Sequence, residues 1–530
     1  MAGPVPVTFE PAGRTVWVQS GQTVLSAARR AGVLIPAPCG SRGVCGGCGV
    51  RVLQGSLEEP DAGEIRALGL APPNVRMACL ARVREAVTVR PVVVLATSNR
   101  VTRGDATPRG PIVAAVDLGT TTVAAAVIDG TTGAEIGRAT VENHQVSWGA
   151  DVLSRIDAAI GGAGPDLRAA AEASILGALG AACDDAGSCV RSIGRLVIAG
   201  NTTMASLLLG ADVTSLAGHP FDPPVVGSAM LPEDSTVLSV IAPDASTLVL
   251  PALGGFIGGD TTAGLVATGL AESTAPGLLV DLGTNAEIVC AAAGGLFGAS
   301  AAAGPAFEGF GIHSGGPAAP GAIEHVQMVD GDLTLTVVGG GEPRWLCGSG
   351  LVSAIALLRR TGHLDAEGLL RREGPLEARC VRLDDVLALD LSHAAPRNGD
   401  GSPRLLLTQQ DVRAFQLAKG AVLTAIRLVL ERTGVKASGL QRVLIAGAFG
   451  GALNSDDLVE LGVVPRSLAG KMSIVGNAAL AGAAMAALDP EIAERAESLG
   501  QGFTHVDLAA DPRFAAAYLS SMSLEPAGLD

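Results

Sequence analysis

The strongest constraint on this chain is a strand–turn–strand string that occurs twice. Ile112–Val116 is an apolar run leading into Asp117-Leu118-Gly119-Thr120-Thr121-Thr122, and a second apolar run, Val123–Ile128, follows at once. Further on, Leu278–Leu282 leads through Asp281-Leu282-Gly283-Thr284-Asn285 into Ala286–Cys290. Both read as hairpins whose turns carry glycine and polar side chains. Glycine there lets backbone N–H groups and hydroxyls come close to a phosphate. An aspartate at the end of the incoming strand can hold Mg²⁺ through its waters. One such string arises easily by chance; two in one chain specify paired phosphate contacts. Asp117 and Asp281 are then the metal-side carboxylates. Gly119, Thr120, Thr121, Thr122, Gly283, Thr284 and Asn285 are the phosphate-facing residues.

The pair resembles the two phosphate loops of the actin/sugar-kinase/Hsp70 superfamily, whose two α/β lobes are duplicates. The resemblance implies ATP as ligand, with Mg²⁺, and a third element: a strand ending in a glycine-rich turn that cradles the adenosine. Arg442–Ala448 fits, a buried strand ending in Gly447, Gly450 and Gly451. Ile198-Ala199-Gly200-Asn201-Thr202-Thr203-Met204 and Gly258-Gly259-Asp260-Thr261-Thr262 read as connectors between the lobes. Asp260 is the candidate for orienting the attacking water; a helix N-cap after two glycines is the alternative. Helical periodicity marks 346–361 and 408–432, the latter opened by a capping-box pair, Thr408 and Asp411. Lys419, one of three lysines, reads as part of a solvated helix face, with a place near the nucleotide as the alternative.

The N-terminal part carries different chemistry. Cys39, Cys45, Cys48 and Cys79 form C-x5-C-x2-C-x30-C. Three thiols crowd one glycine-rich loop and the fourth arrives from a distant strand. An iron–sulfur cluster requires four thiolates converging on a rigid pocket. Glycines 40, 43, 46, 47 and 49 let the backbone wrap closely and offer N–H groups to sulfur. A four-cysteine zinc site is the alternative, but zinc sites usually show two compact C-x2-C pairs and here there is one. Val5–Phe9 and Thr15–Val18 alternate as a hairpin around Pro11-Ala12-Gly13, and Thr23–Ala31 reads as a short helix. This order resembles the β-grasp ferredoxin fold with a [2Fe–2S] cluster. The five-residue first gap is similar to the adrenodoxin type. The remaining cysteines, 183, 189, 290, 347 and 380, read as small buried core residues.

Residues 96–110 are polar and basic without apolar periodicity, so they read as a linker between residues 1–95 and a two-lobed ATP-binding domain at 111–525. The formal net charge is −15, which argues against nucleic acid or an anionic membrane as partner. Residues 1–95 nevertheless hold ten arginines against six carboxylates. The first ten residues lack a basic segment followed by an apolar run, and apolar stretches such as 112–128 are interrupted by Asp117, Gly119 and three threonines. The expectation is a cytoplasmic protein, with no membrane span.

The combination resembles the reductive activators of corrinoid proteins. The strings that carry the resemblance are NHQVSWGADVLSRI (143–156), GNTTM (200–204), GGFIGGD (254–260), DLGTNAEI (281–288), GPAFEG (304–309), PGAI (320–323), LCGSGLVSAIA (346–356), TQQDVRAFQLAKGA (408–421) and IAGAFG (445–450). The larger members carry a further domain between ferredoxin and nucleotide regions, where this chain has only 96–110. Where the family commonly continues after GPAFEG with Ser-Cys-Gly-Met-Arg, this chain reads Gly311–Pro317, and His313 and Ser314 are the candidates for facing the corrinoid. The resemblance implies transfer of one electron from the [2Fe–2S] cluster to Co(II), regenerating Co(I), driven by an ATP-coupled change of lobe angle. It implies a corrinoid methyltransferase partner and an upstream electron donor, and leaves a homodimer open. Three other functions stay open: an ATP-coupled electron donor of the dehydratase-activator kind, a small-molecule kinase with a ferredoxin domain, and a non-enzymatic electron carrier or scaffold in which ATP is only structural.

Overall fold

The computed structural model describes residues 4–10, 13–31, 33, 35, 48–68, 74–91, 110–149, 151–383, 386–392, 405–447 and 453–528. Cys39, Cys45, Gly450, Gly451, the turn residues 11 and 12, and the expected linker up to residue 109 lie outside them. The chain divides into two compact units, one holding 100–273 and 478–503 with the N-terminal part, the other holding 274–477 and 504–530.

In the N-terminal part, the strands Pro4–Phe9 and Arg14–Gln19 pair antiparallel, as the alternation predicts. Pro4–Phe9 also pairs parallel with Val87–Pro91, which runs antiparallel to Gly49–Gln54, and Val75–Met77 closes the edge. The helix Val24–Ala31 covers the sheet. Val7, Phe9, Val24, Ala27, Ala28, Val50, Met77 and Val89 form the core. This is the expected α+β β-grasp.

The rest of the first unit is built on a five-stranded sheet. Ser246–Val249, Ile193–Gly200 and Ile112–Leu118 run parallel, and Ile112–Leu118 continues antiparallel into Thr122–Asp129 and Glu135–Glu142. The second unit repeats the plan. Met472–Gly476, Arg442–Ala446 and Gly277–Asp281 run parallel, followed antiparallel by Asn285–Ala292 and Gly295–Ala302, with Phe503–His505 at the edge. The inner strands are apolar at nearly every position because both faces are covered. On one face of the first sheet lies Ala478–Leu488, seated between strand residues such as Ala115 and Val197 and the helix Gly259–Thr268. A Cβ at Gly482 would stand 2.0 Å from the Ala263 carbonyl oxygen, so the two helices touch backbone to backbone.

Three sequence expectations are corrected here. The segments at 198–204 and 258–262 are not connectors: both lie inside the first unit, as a strand-to-helix turn and a helix start. Of the five scattered cysteines, 183, 290 and 347 are buried, but Cys189 is exposed and Cys380 intermediate. Cys189 sits at a short 3₁₀ turn on the surface, where no packing demands an apolar thiol.

Lys419 is not on a solvated face; it is fully buried in the helix Gln409–Thr433. Its ammonium donates to the Ser523 carbonyl, anchoring the C-terminal segment. Sequence periodicity missed this because the partner lies about a hundred residues away in the chain. Burial holds the Lys419 ammonium down to about 7, from an ordinary 10.5. Between those two values the unfolded chain carries a proton that the folded chain lacks, so stability rises with pH there; below about 7 the buried charge costs its full amount. Lys419→Met should therefore raise the thermal unfolding midpoint more at pH 6 than at pH 9, and an equal shift at both would refute this account.

Candidate functional site

Cys48 and Cys79 sit at the ends of two paired strands. Gly49 opposes Met77, so Cys48 enters one strand where Cys79 leaves the other. Their sulfurs are 3.2 Å apart, well beyond the ~2.05 Å of a disulfide. Both are buried, and the Cys79 N–H points at the Cys48 sulfur over 3.5 Å. Two buried, unjoined thiols on rigid ladder ends, one receiving an amide, have the donor chemistry that an iron–sulfur cluster needs. Cys39 and Cys45 belong to the same expected set but lie outside the described residues.

The Cys79 turn is fixed by contacts the sequence did not advertise. The buried Glu64 carboxylate takes a two-pronged hydrogen bond from Arg76, 2.9 and 2.8 Å, and the Met77 N–H at 2.8 Å. Arg76 also donates to the Glu58 carbonyl at 2.7 Å. The Leu25 N–H donates to the Ala78 carbonyl at 2.8 Å, tying the turn to the helix Val24–Ala31. Bidentate arginine–carboxylate geometry of this kind gives direction as well as attraction.

In the first unit, Asp117 is next to last in its strand, opposite Ala124, and Gly119–Thr121 form the turn into Thr122–Asp129. Three buried polar side chains brace that turn. Asn143 donates to the Gly119 carbonyl at 2.8 Å, Arg155 to the Thr120 carbonyl at 2.7 Å, and Asn201 to the Thr120 hydroxyl at 2.9 Å. Arg155 is fully buried and also reaches the Gly149 carbonyl, the Gln145 amide oxygen and the Met204 sulfur. Burial lowers its guanidinium to about 10, so it stays charged at neutral pH. The NHQVSWGADVLSRI string thus supports the first turn through Asn143 and Arg155. Gly258 packs against Asn201, where a Cβ would come within 2.4 Å of the Asn201 Cα.

Asp260 lies in the first turn of the helix Gly259–Thr268, and Gly258 occupies the cap position, so Asp260 is not the N-cap. Its carboxylate accepts the Thr261 N–H at 2.7 Å. Burial nonetheless raises the carboxyl to about 6.

In the second unit, Asp281 ends its strand opposite Glu287, and Gly283 and Thr284 make the turn into Asn285–Ala292. Here the brace is a carboxylate. Glu308 Oε1 accepts both the Thr284 N–H at 2.6 Å and the Thr284 hydroxyl at 3.0 Å. Gly447 follows Arg442–Ala446, and its N–H donates to the Gly476 carbonyl at 2.9 Å.

The registers of the two units expose a second repeat. Asp117 pairs with Ala199 beside Gly200, and Asp281 pairs with Ala446 beside Gly447. Ile198-Ala199-Gly200 and Ile445-Ala446-Gly447 occupy matching places. The repeated Ile-Ala-Gly was the available signal that the 198–204 segment is a counterpart of the glycine turn. The residues missed by sequence reading are those that brace: Asn143, Arg155, Asn201, Glu64, Arg76 and Glu308.

His313 and Ser314 are tied to the start of Gln409–Thr433. The His313 N–H donates to Asp411 at 2.6 Å, and the Ser314 hydroxyl accepts the Leu406 N–H at 3.0 Å. Asp411 also closes the capping box with Thr408. The His313 side chain is exposed.

Three family descriptions match in sequence: the 2Fe-2S iron-sulfur cluster binding domain over 7–84, the RACo middle region over 112–273, and the C-terminal domain of RACo, the ASKHA domain, over 275–530. A corrinoid activation enzyme of Eubacterium limosum, RamQ, is 35% identical over 416 residues, 76% of this chain and 69% of that protein. A [Co(II) methylated amine-specific corrinoid protein] reductase of Methanosarcina barkeri is 26% identical over 371 residues, 63% of each. A solved reductive activator for a corrinoid, iron–sulfur protein superimposes with a TM-score of 0.73 at 25% identity, covering 98% of both chains.

Proposed function

Because this chain belongs to the RACo family of corrinoid-activating proteins, we propose that it reductively activates a corrinoid protein, returning Co(II) to Co(I) with one electron in a cycle coupled to ATP hydrolysis. The observation that carries this reading is the joining, in one chain, of a paired-thiol site on a β-grasp with two matched phosphate turns.

Cys39, Cys45, Cys48 and Cys79 would hold a [2Fe–2S] cluster, which when bound supplies one electron at a time. Burial of Cys48 and Cys79 keeps water from the sulfurs, and the Cys79 N–H is aimed at the Cys48 sulfur, the kind of contact that tunes a cluster. Asp117 and Asp281 would hold Mg²⁺ through waters. Gly119–Thr122 and Gly283–Asn285 offer amides and hydroxyls to phosphate, and Gly447, Gly450 and Gly451 would take the adenosine. Binding one nucleotide state more tightly than another is what allows hydrolysis to drive a conformational cycle. The exposed ring of His313 supports a corrinoid-facing role for the 311–317 loop, whereas the Ser314 hydroxyl is already engaged. A methyltransferase corrinoid protein and a separate electron donor complete the scheme.

Anaerobic mixing with a Co(II) corrinoid protein, reductant and Mg-ATP should give the Co(I) spectrum only when ATP is present. Cluster absorbance with no ATP-dependent cobalt change across several corrinoid partners would refute the proposal. Asp260 is proposed to orient the attacking water. With its carboxyl at about 6, it gains a basic form as pH rises from 5 to 7. ATP hydrolysis should rise over that interval, and Asp260→Asn should be slow and lack the rise. A variant with the wild-type pH profile removes Asp260 from that role.

A further inference from the structure

The hydroxyls of the two phosphate turns meet groups of different electrostatic character. At the first, the Thr120 hydroxyl receives the neutral Asn201 amide. At the second, the Thr284 amide and hydroxyl both point at one carboxylate oxygen of Glu308. Those two donors are what such a turn would present to a phosphate oxygen, and an anion already occupies them. A Cβ on Gly283 would stand 3.2 Å from the same oxygen, so Glu308 lies directly against the turn.

The carboxylate is held there by its own segment. Pro305–Glu308 is a 3₁₀ turn between Gly304 and Gly309, both at positive φ. Phe307 is fully buried against Phe415, with ring centroids 5.6 Å apart. The Gly304 N–H donates to the Thr284 carbonyl at 2.8 Å, joining the segment to the turn it serves. The GPAFEG string is therefore a rigid arm that carries one carboxylate to the second phosphate turn.

We propose that Glu308 is an internal phosphate surrogate that sets nucleotide affinity at the second turn. It satisfies the Thr284 donors when no nucleotide is bound, and a bound phosphate must displace it. Like charges at contact distance repel, and both compete for the same N–H and O–H groups. Glutamine can still accept those two hydrogen bonds but carries no charge. Aspartate keeps the charge but is one methylene shorter. The inference rests on the nucleotide reading above.

ADP binding, measured by calorimetry with and without Mg²⁺, tests it on the full-length wild type, Glu308→Gln and Glu308→Asp. Glu308→Gln should bind ADP about tenfold more tightly, and Glu308→Asp should not. The gain should shrink as ionic strength rises. Equal or weaker binding by Glu308→Gln overturns the proposal, as does equal tightening in both variants, which would mark a purely steric brace. A wild type that binds no adenine nucleotide overturns this inference and the ATP reading together; a wild type that binds while Glu308→Gln shows no gain overturns the inference alone.

Discussion

Cys79→Ser should all but abolish corrinoid reduction and the visible absorbance of an iron–sulfur protein, while ADP binding survives. The expectation follows from local geometry. Cys79 shares a buried, rigid ladder end with Cys48, at a sulfur separation of 3.2 Å. Its turn is fixed by the Glu64–Arg76 pair and by the Leu25 amide. A hydroxyl is a harder and less acidic ligand than a thiol, and the rigid turn cannot bring a substitute donor forward. ATP-dependent Co(I) formation should fall by roughly two orders of magnitude or more, as expected when an electron path loses its cluster. Iron analysis and the electron paramagnetic signal of the reduced protein check the cause. Retained iron with unchanged absorbance would refute the ligand assignment, and stoichiometric zinc in wild type would refute the cluster itself.

Arg155→Ala should be the most damaging single change in the first unit. The guanidinium is fully buried and donates to the Thr120 and Gly149 carbonyls at 2.7 and 3.0 Å, and to Gln145 at 3.2 Å. Truncation leaves those acceptors unpaired and opens a cavity. Losses of this kind amount to about 3–5 kcal/mol. The Thr120 carbonyl belongs to the turn proposed to bind phosphate, so adenine-nucleotide affinity should fall together with the denaturation midpoint. Lysine should not rescue it, because one ammonium cannot span acceptors that a planar fork reaches in several directions. A midpoint within the range of ordinary surface substitutions would show that the turn holds itself.

What the sequence made legible follows from what is local. The hairpins at Asp117 and Asp281 are contiguous strings, and they fold as expected, with Asp281 at the end of its inner strand and Asp117 one residue from it. The capping box at Thr408 and Asp411 is likewise a matter of three residues and forms as expected. The bracing residues were not legible, because a partner such as Asn201 for Thr120 is set by the sheet register and not by spacing. Lys419 shows the same limit from the other side. A lysine in a helix is normally solvated, and only the returning segment at Ser523 gives this one a buried acceptor. Asp260 was placed beside the right glycines, but only the backbone shows that Gly258 takes the cap and leaves the carboxylate in the first turn.

The seat of Ala478–Leu488 on the first unit has a consequence for biosynthesis. The strands Ile112–Leu118 and Ile193–Gly200 leave the ribosome long before the helix that covers them, with the whole of 274–477 made in between. At about 5–20 residues per second, the wait is roughly ten to forty seconds. Until that helix emerges, the cover it gives Ala115, Val197 and Ala263 in the folded unit is missing. The N-terminal unit, although begun first, therefore cannot be sealed until 478–488 has been made, and its yield in a cell depends on whatever shields that apolar face in the interval.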